Sequence, residues 1–156
     1  MDNNIPENII IEKLDESNID ELYDLLHELV HYHNNVSKYF KGEYPSKPLC
    51  EKIIEIKGKV KNGISNIDVI RINNEIVAFS IYYIENNIGT LEYLFTSEKN
   101  RNMGYGKILM NNVMAYFTEK DVKNIEIMVV YGNDGAKRFY NRYGFQTKSE
   151  ILSLKC

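Results

Sequence analysis

Cysteine is scarce in this sequence, which contains only Cys50 and Cys156 among 156 residues. Two isolated thiols make neither a disulfide framework nor a metal-ligand cluster, so we expect both to be reduced and expect no bound metal. Long apolar runs are also missing, since a run such as Ile125–Tyr131 is far below the roughly 18 residues of a membrane span. The first residues lack a cationic segment followed by an apolar one, and we therefore predict a cytoplasmic protein without a membrane partner.

A surplus of positive charge is missing too. The 19 lysines and arginines are scattered against 22 acidic residues, which gives a formal net charge of -3. Without a basic patch, no nucleic-acid partner is expected. The length and the 44% hydrophobic content instead indicate one globular domain over residues 1–156 with a core of its own.

The first half of the chain is predicted to begin with a strand and two helices. Residues Asn8–Leu14 form a β-branched run, and Asp15–Ser17 then offer a helix cap. The apolar stripe of the first helix consists of Ile19, Leu22, Leu26, Leu29 and Val30. Breakers in residues 36–48 predict a loop or short helix before a second helix at Leu49–Val60.

From residue 67 the hydrophobic period changes to two, which predicts a sheet. The strands are predicted at Asp68–Ile72, Glu75–Ile84 and Thr90–Thr96, with asparagine-rich hairpin turns between them. A helix at 104–119, a strand at Ile125–Tyr131, a helix at 133–143 and a last strand within Phe145–Leu154 follow. This order predicts an α+β fold with a central mixed sheet, because a strand, a crossover helix and a strand form a parallel pair.

The turn after the third of these strands is the most informative segment. In Leu91–Met110 a strand leads through a polar turn into a helix whose first turn holds Gly104 and Gly106. A helix N-terminus with unpaired N–H groups binds anions, and glycines let phosphate oxygens approach. Arg101 and Lys107 add positive charge. A dinucleotide fingerprint and a P-loop are both excluded, because Leu109 and Ile108 stand where those motifs need Gly and Ser or Thr.

The pattern Arg101-x-x-Gly104-x-Gly106 resembles the acetyl-CoA motif of the GNAT superfamily of N-acetyltransferases. A second segment, Asn133–Phe145, matches the next motif of that superfamily at Asn133, Ala136, Phe139, Tyr140, Tyr143, Gly144 and Phe145. The resemblance implies a three-layer α/β/α-like fold with about four helices and a mixed, mostly antiparallel sheet. Asn102 departs from the family glycine and Glu98 from a frequent proline, but asparagine tolerates the left-handed conformation.

The resemblance also implies where acetyl-CoA binds. Its pyrophosphate is expected on backbone amides of the turn, namely Arg101, Asn102, Met103, Gly104, Tyr105, Gly106 and Lys107. Its pantetheine arm is expected on the backbone of Leu94, Phe95 and Thr96, in a gap where this strand and Ile125–Tyr131 splay apart. Asn133 is expected to contact the cofactor arm. The oxyanion donor is expected to be a backbone N–H near Phe95.

Acetyl transfer to an amine needs a proton acceptor and a proton donor. Strict alternation along the strand puts Glu92 on the face of Leu94, opposite Tyr93, where it is a candidate base acting through a water. The position also fits a solvated strand residue or a contact to a charged substrate. Tyr140 matches the family tyrosine that commonly protonates the departing thiolate, although its helical stripe is also typical of plain core. The acceptor is expected to be a small-molecule or peptide amine, and monomer and homodimer are both open.

Two alternatives remain at this point. A non-catalytic acyl-CoA sensor would keep the turn without turnover. The stretch His27-Glu28-Leu29-Val30-His31 spells the H-E-x-x-H signature of zinc hydrolases, but helical spacing puts both histidines on a solvated face.

The first helix and the loop after it are rich in aromatic residues and also carry acids. These residues are Tyr32, His33, Tyr39, Phe40, Tyr44, Glu28 and Glu43. The resemblance implies that the first two helices and their loop wall the acceptor pocket. Such an aromatic and mildly acidic wall would suit a small cationic amine, such as a polyamine, an aminoglycoside or a lysine side chain.

Overall fold

The computed structural model describes residues 9–156 and contains one five-stranded sheet between layers of helices. The strands are β1 (Ile11–Lys13), β2 (Ser65–Ile72), β3 (Glu75–Glu85), β4 (Ile88–Thr96) and β5 (Asn124–Ile127). The helices are α1 (Tyr23–Val36), α2 (Leu49–Lys61), α3 (Tyr105–Glu119) and α4 (Asp134–Asn141), with 3-10 turns at Glu16–Leu22 and Glu98–Asn100. Asn8, the first residue of the predicted first strand, and the N-terminal segment examined for a targeting signal lie outside the described residues.

The strands follow the chain order across the sheet, and only β4 and β5 run parallel. Two tight turns connect the antiparallel strands β2, β3 and β4, and both turns use asparagine pairs. The backbone of Asn73 and Asn74 has φ of 51° and 66°, and that of Asn86 and Asn87 has 50° and 64°. These are the left-handed values of a hairpin turn, and they confirm the meander that the asparagine pairs predict.

Two hydrophobic cores lie on opposite faces of the sheet. On one face, Ile19, Leu22 and Leu26 of the first helical segment pack against Phe79 and Ile81 of β3. On the other face, α3 and α4 cover the sheet through Val113, Phe117 and Tyr140. The three layers that the resemblance implies are therefore confirmed. No helix within residues 9–156 is long and apolar enough to cross a membrane.

Most predicted elements lie within three residues of their observed bounds, and three differ in kind or by more than that. Asp15 caps the first helix through Ser17 as predicted, but the chain runs as a 3-10 helix to Leu22 before α1 begins. The last strand of the sheet ends at Ile127 rather than Tyr131, because its partner diverges beyond that point. The strand predicted within Phe145–Leu154 does not form, and Ile151, Leu152 and Leu154 are exposed.

Candidate active site

A cavity of about 860 Å³ opens where β4 and β5 part. Their pairing covers four residues of each strand and ends at Leu91 and Ile127. Beyond it, residues 92–96 of β4 line one wall of the cavity, and residues 128–130 line the other. The gap predicted between the two strands is thus present.

The open edge of β4 presents backbone groups to this cavity. The Ser97 N–H donates to the Val77 carbonyl on the β3 side at 2.9 Å, and Phe95 lies opposite Phe79. Because backbone direction alternates along an antiparallel ladder, Leu94 and Thr96 direct their N–H and C=O groups to the open side. Phe95 itself is bonded to β3, so the N–H groups of this strand that face the cavity are those of its neighbours Leu94 and Thr96.

The turn before α3 leaves several backbone N–H groups without hydrogen-bond partners within residues 9–156. Gly104 caps the helix with φ of 83°, and Asn102 has φ of 63°, so the asparagine adopts the left-handed conformation expected of it. No side chain caps α3, and its first helical bond runs from the Ile108 N–H to the Gly104 carbonyl at 3.1 Å. The N–H groups of residues 105–107 therefore lack helical partners and are available to an anion.

Gly106 keeps space open between the walls. A Cβ at this position would meet only the Thr96 hydroxyl at 3.9 Å and the Phe139 ring at 4.0 Å, which are ordinary contacts. Packing of the protein therefore does not require glycine here. A side chain here would instead extend into the part of the cavity between β4 and α4, and glycine leaves that space open.

Arg101 braces the turn against α1. Its guanidinium lies 4.3 Å from the ring centre of Tyr32 and 5.4 Å from that of Phe95, and its Nε donates to the Thr96 carbonyl at 3.3 Å. The Tyr32 hydroxyl donates to Asn133 Oδ1 at 3.3 Å, and the same oxygen caps α4 through the Ala136 N–H. Tyr32 therefore connects the turn before α3 with the N-terminus of α4.

Tyr140 lies on α4 and lines the cavity with 9% of its surface exposed. Burial raises the pKa of the Tyr140 phenol, and no hydrogen bond or charge of the described chain opposes that rise. The phenol therefore stays protonated at neutral pH. It lines the same cavity as the open edge of β4, where a neutral phenol can donate a proton.

Glu92 lies on the other face of the sheet from the predicted one. A β-bulge shifts the register between Ile81 and Tyr82, so that Glu92 is the extra residue of β4. Its Oε1 lies 3.2 Å from Lys52 Nζ and 3.8 Å from Lys59 Nζ. The prediction of strict alternation is wrong here, because Glu92 shares the α2 side with Tyr93. It still lines the cavity.

Lys52 and Lys59 are the neighbours that sequence reasoning missed. They belong to α2, 40 and 33 residues before Glu92, and they recur at i and i+7 on one stripe of that helix. The spacing predicts that Lys52 and Lys59 lie on the same face of α2, but it does not identify Glu92 of β4 as their partner.

The H-E-x-x-H segment has a structural use. His27 and His31 are exposed, and the Glu98 N–H donates to Glu28 Oε1 at 2.6 Å. Glu28 thereby fastens the 3-10 turn that precedes Arg101 to α1. Within residues 9–156, no group of three His, Cys, Asp or Glu side chains is arranged to hold a metal ion.

Of the predicted aromatic and acidic acceptor wall, only Tyr32 and His33 line the cavity. Tyr44 packs edge-on against His33, with ring centres 5.6 Å apart. Glu43 pairs with Lys155 instead. The wall is therefore aromatic but less acidic than the sequence predicts, because its acids are bound elsewhere.

The profile of the acetyltransferase (GNAT) family matches residues 22–145. The chain belongs to the GNAT acetyltransferase family. The matched residues include both cavity walls and the turn before α3. No curated protein matches the sequence of this acetyltransferase.

Solved structures share the fold at low sequence identity. PaiA N-acetyltransferase from Thermoplasma acidophilum, in complex with coenzyme A, has a TM-score of 0.78 and 17% identity, covering 92% of this chain and 93% of its own. A variant of the BH1408 protein from Bacillus halodurans has a TM-score of 0.74 and 21% identity, covering 94% and 99%. AAC(6')-Iy with a bisubstrate analogue, CoA-S-monomethyl-acetylneamine, has a TM-score of 0.70 and 12% identity, covering 96% and 99%. The GNAT fold is therefore retained although the sequences have diverged widely.

Proposed function

We propose that this acetyltransferase transfers the acetyl group of acetyl-CoA to a primary amine by direct attack, without a covalent enzyme intermediate. The observation that carries the proposal is one cavity lined by the free amides before α3, the open edge of β4 and the Tyr140 side chain. Coenzyme A bound to PaiA N-acetyltransferase and the CoA-derived analogue bound to AAC(6')-Iy support the same ligand class here.

The residues fit the parts of the cofactor. The N–H groups of residues 102–107, with exposed Lys107, suit the pyrophosphate, since several donors at a helix N-terminus stabilise its charge. The Arg101 N–H, expected in the same role, donates to the Glu98 carbonyl at 3.3 Å instead. The open-edge groups of Leu94 and Thr96 suit the amides of the pantetheine arm, which can pair with them as a strand would. Asn133 lines the same wall, where its side chain caps α4.

Acetyl-CoA supplies an activated thioester carbonyl. The amine nitrogen forms a bond to the carbonyl carbon, the carbon–sulfur bond breaks, the sulfur gains a proton and the nitrogen loses one. Tyr140 holds the proton for the sulfur, because burial keeps its phenol neutral. Glu92 lines the cavity as an ion-paired carboxylate and is the proposed destination, through a water, of the proton from nitrogen. Cys50 and Cys156 are exposed and line no part of the cavity in the described chain.

The proposal is tested by titration calorimetry with acetyl-CoA together with thiol release across a panel of primary amines. Binding together with amine-dependent release of CoA is the expected result. Binding with no turnover on any amine would instead assign an acyl-CoA sensor. A chain that binds no acetyl-CoA would overturn the cofactor site altogether.

A further inference from the structure

The acceptor side of the cavity is poor in negative charge. Glu92 is the one Asp or Glu among the cavity-lining residues of the described chain. The two acids predicted for this wall are engaged elsewhere, Glu28 with the Glu98 N–H and Glu43 with Lys155. A substrate that brings several ammonium groups therefore finds one carboxylate at most.

That carboxylate is already neutralised by lysines of α2. Lys52 and Lys59 lie 3.2 Å and 3.8 Å from Glu92 Oε1. The same two lysines lie 3.9 Å and 3.3 Å from Glu55, and Lys47 lies 2.7 Å from it. Three lysines thus face two glutamates, so this chain of ion pairs has a net positive charge behind the cavity wall.

On the side of the cavity next to α1 and α2, the protein's own cations lie over the rings of Tyr32, Phe95 and Tyr93. Arg101 lies over Tyr32 and Phe95, with 4.3 Å to the nearer ring centre, and Lys52 lies 5.5 Å from the centre of Tyr93. An aromatic ring binds a cation through its negative face, and a second cation beside the first is repelled. His33 adds no negative charge, and burial lowers the pKa of its imidazole, which is therefore neutral.

We propose that the acceptor is a primary amine in a molecule without a second cationic group. The inference rests on the proposed function and narrows its substrate class. Nearby positive charge disfavours an ammonium and favours the neutral amine, which is the form that attacks the thioester. One amine gains from this effect as it loses its proton. A polyamine or an aminoglycoside retains further ammonium groups, which are repelled by Arg101 and the lysines of α2.

The acceptor class is tested by the kcat/KM for thiol release with two matched pairs of substrates. Phenethylamine represents amines with a single positive charge and leucine those whose ammonium is balanced by a carboxylate, whereas spermidine and neamine represent polycations. Phenethylamine should give at least about tenfold higher kcat/KM than either polycation at low ionic strength, where charge effects are least screened. A preference for spermidine or neamine would overturn the acceptor class and leave N-acetyl transfer intact. If none of the amines supported thiol release, both proposals would be overturned, while calorimetry would still report cofactor binding.

Variants of α2 separate charge from fold. Lys52→Met removes the nearest partner of Glu92 and should raise kcat/KM for spermidine relative to phenethylamine by roughly three- to tenfold. Lys57→Met is the matched control, because Lys57 lies on the same helix but pairs with Asp20 at 2.7 Å. Lys59→Met, which leaves the 3.2 Å pair of Lys52 and Glu92 intact, provides a second variant if the first one unfolds. Equal selectivity in these variants and the Lys57→Met control would contradict the proposal.

Discussion

At the scale of single residues, Tyr140 combines burial with access to the cavity. Its ring lies 5.3 Å from that of Phe139 and 6.0 Å from that of Phe145, which holds it in the core of α4. Its phenol is neutral because burial raises the pKa of the group. The ring of Tyr140 packs in the core, whereas the proposed proton donation needs only its hydroxyl. A substitution that removes the hydroxyl and keeps the ring therefore tests proton donation separately from packing.

The substitution Tyr140→Phe retains the ring and deletes the proposed proton donor. We expect kcat to fall about a hundredfold or more, as general-acid catalysis contributes on this scale, with acetyl-CoA affinity nearly unchanged. Steady-state kinetics and titration calorimetry measure the two quantities. Tyr116→Phe is the control, since this half-buried tyrosine packs on Tyr82 outside the cavity. Unchanged turnover in Tyr140→Phe would remove the assignment.

Residue chemistry predicted some local conformations and missed others. Asn102 could be assigned to a left-handed turn because its short polar side chain tolerates that conformation, and its φ of 63° confirms this. Glu92 could not be placed correctly. A bulge depends on how β3 and β4 fit together, and no feature of the strand sequence marks the extra residue.

At the scale of elements, the end of β5 was harder to predict than the ends of the other strands, which lie within one residue of their predicted positions. The apolar run Ile125–Tyr131 continues past Ile127, but the strand ends there because β4 has turned away. The run reports a preference for extended backbone, whereas a strand also needs a partner within hydrogen-bond distance. The cavity occupies the place where that partner is missing.

The junction between β5 and α4 depends on Gly132. Its φ is 106°, and a Cβ there would collide with the Val36 carbonyl and lie 3.0 Å from the Lys38 nitrogen. The Lys38 N–H also donates to the Tyr131 carbonyl at 3.1 Å, so the end of α1 closes directly onto this junction. Gly132 therefore allows the C-terminal end of α1 to pack directly against the segment that leads to Asn133.

Gly132→Ala should destabilise the fold by about 1–3 kcal/mol from its left-handed backbone alone, and the collision adds to this cost. Thermal unfolding should show a fall in Tm of several degrees, and KM for the amine should rise as the junction moves apart. Gly58→Ala is the matched control, because Gly58 lies inside α2 with open space around its Cα. That change should stabilise the chain by about 0.5–1 kcal/mol. Equal Tm values for the two variants would contradict this account of the junction.

At the scale of the whole molecule, layering was predictable and electrostatics was not. The two hydrophobic cores follow from periodic apolar stripes, each of which can be found within one segment of the chain. The charge of the cavity arises from α2, β4 and the turn after β4, which meet only in the folded chain. For this reason the acceptor wall was predicted to be more acidic than it is.

Ligand binding should be visible across the whole molecule, because the proposed cofactor site joins both helical layers through β4. Acetyl-CoA at a hundred times its dissociation constant should stabilise the native state by about 2.7 kcal/mol, which raises Tm by roughly 5–10 °C for a chain of this size. Hydrogen exchange should slow at residues 102–107 and at Leu94 and Thr96.

Acetylpantetheine, which lacks the diphosphate, provides the control for this experiment. It should protect the open edge of β4 but leave residues 102–107 unprotected, because those amides have only the phosphate oxygens as partners. If both ligands protected the turn equally, the turn would be responding to a general stiffening rather than holding an anion. If acetyl-CoA neither raised Tm nor protected residues 102–107, binding through main-chain donors would be excluded.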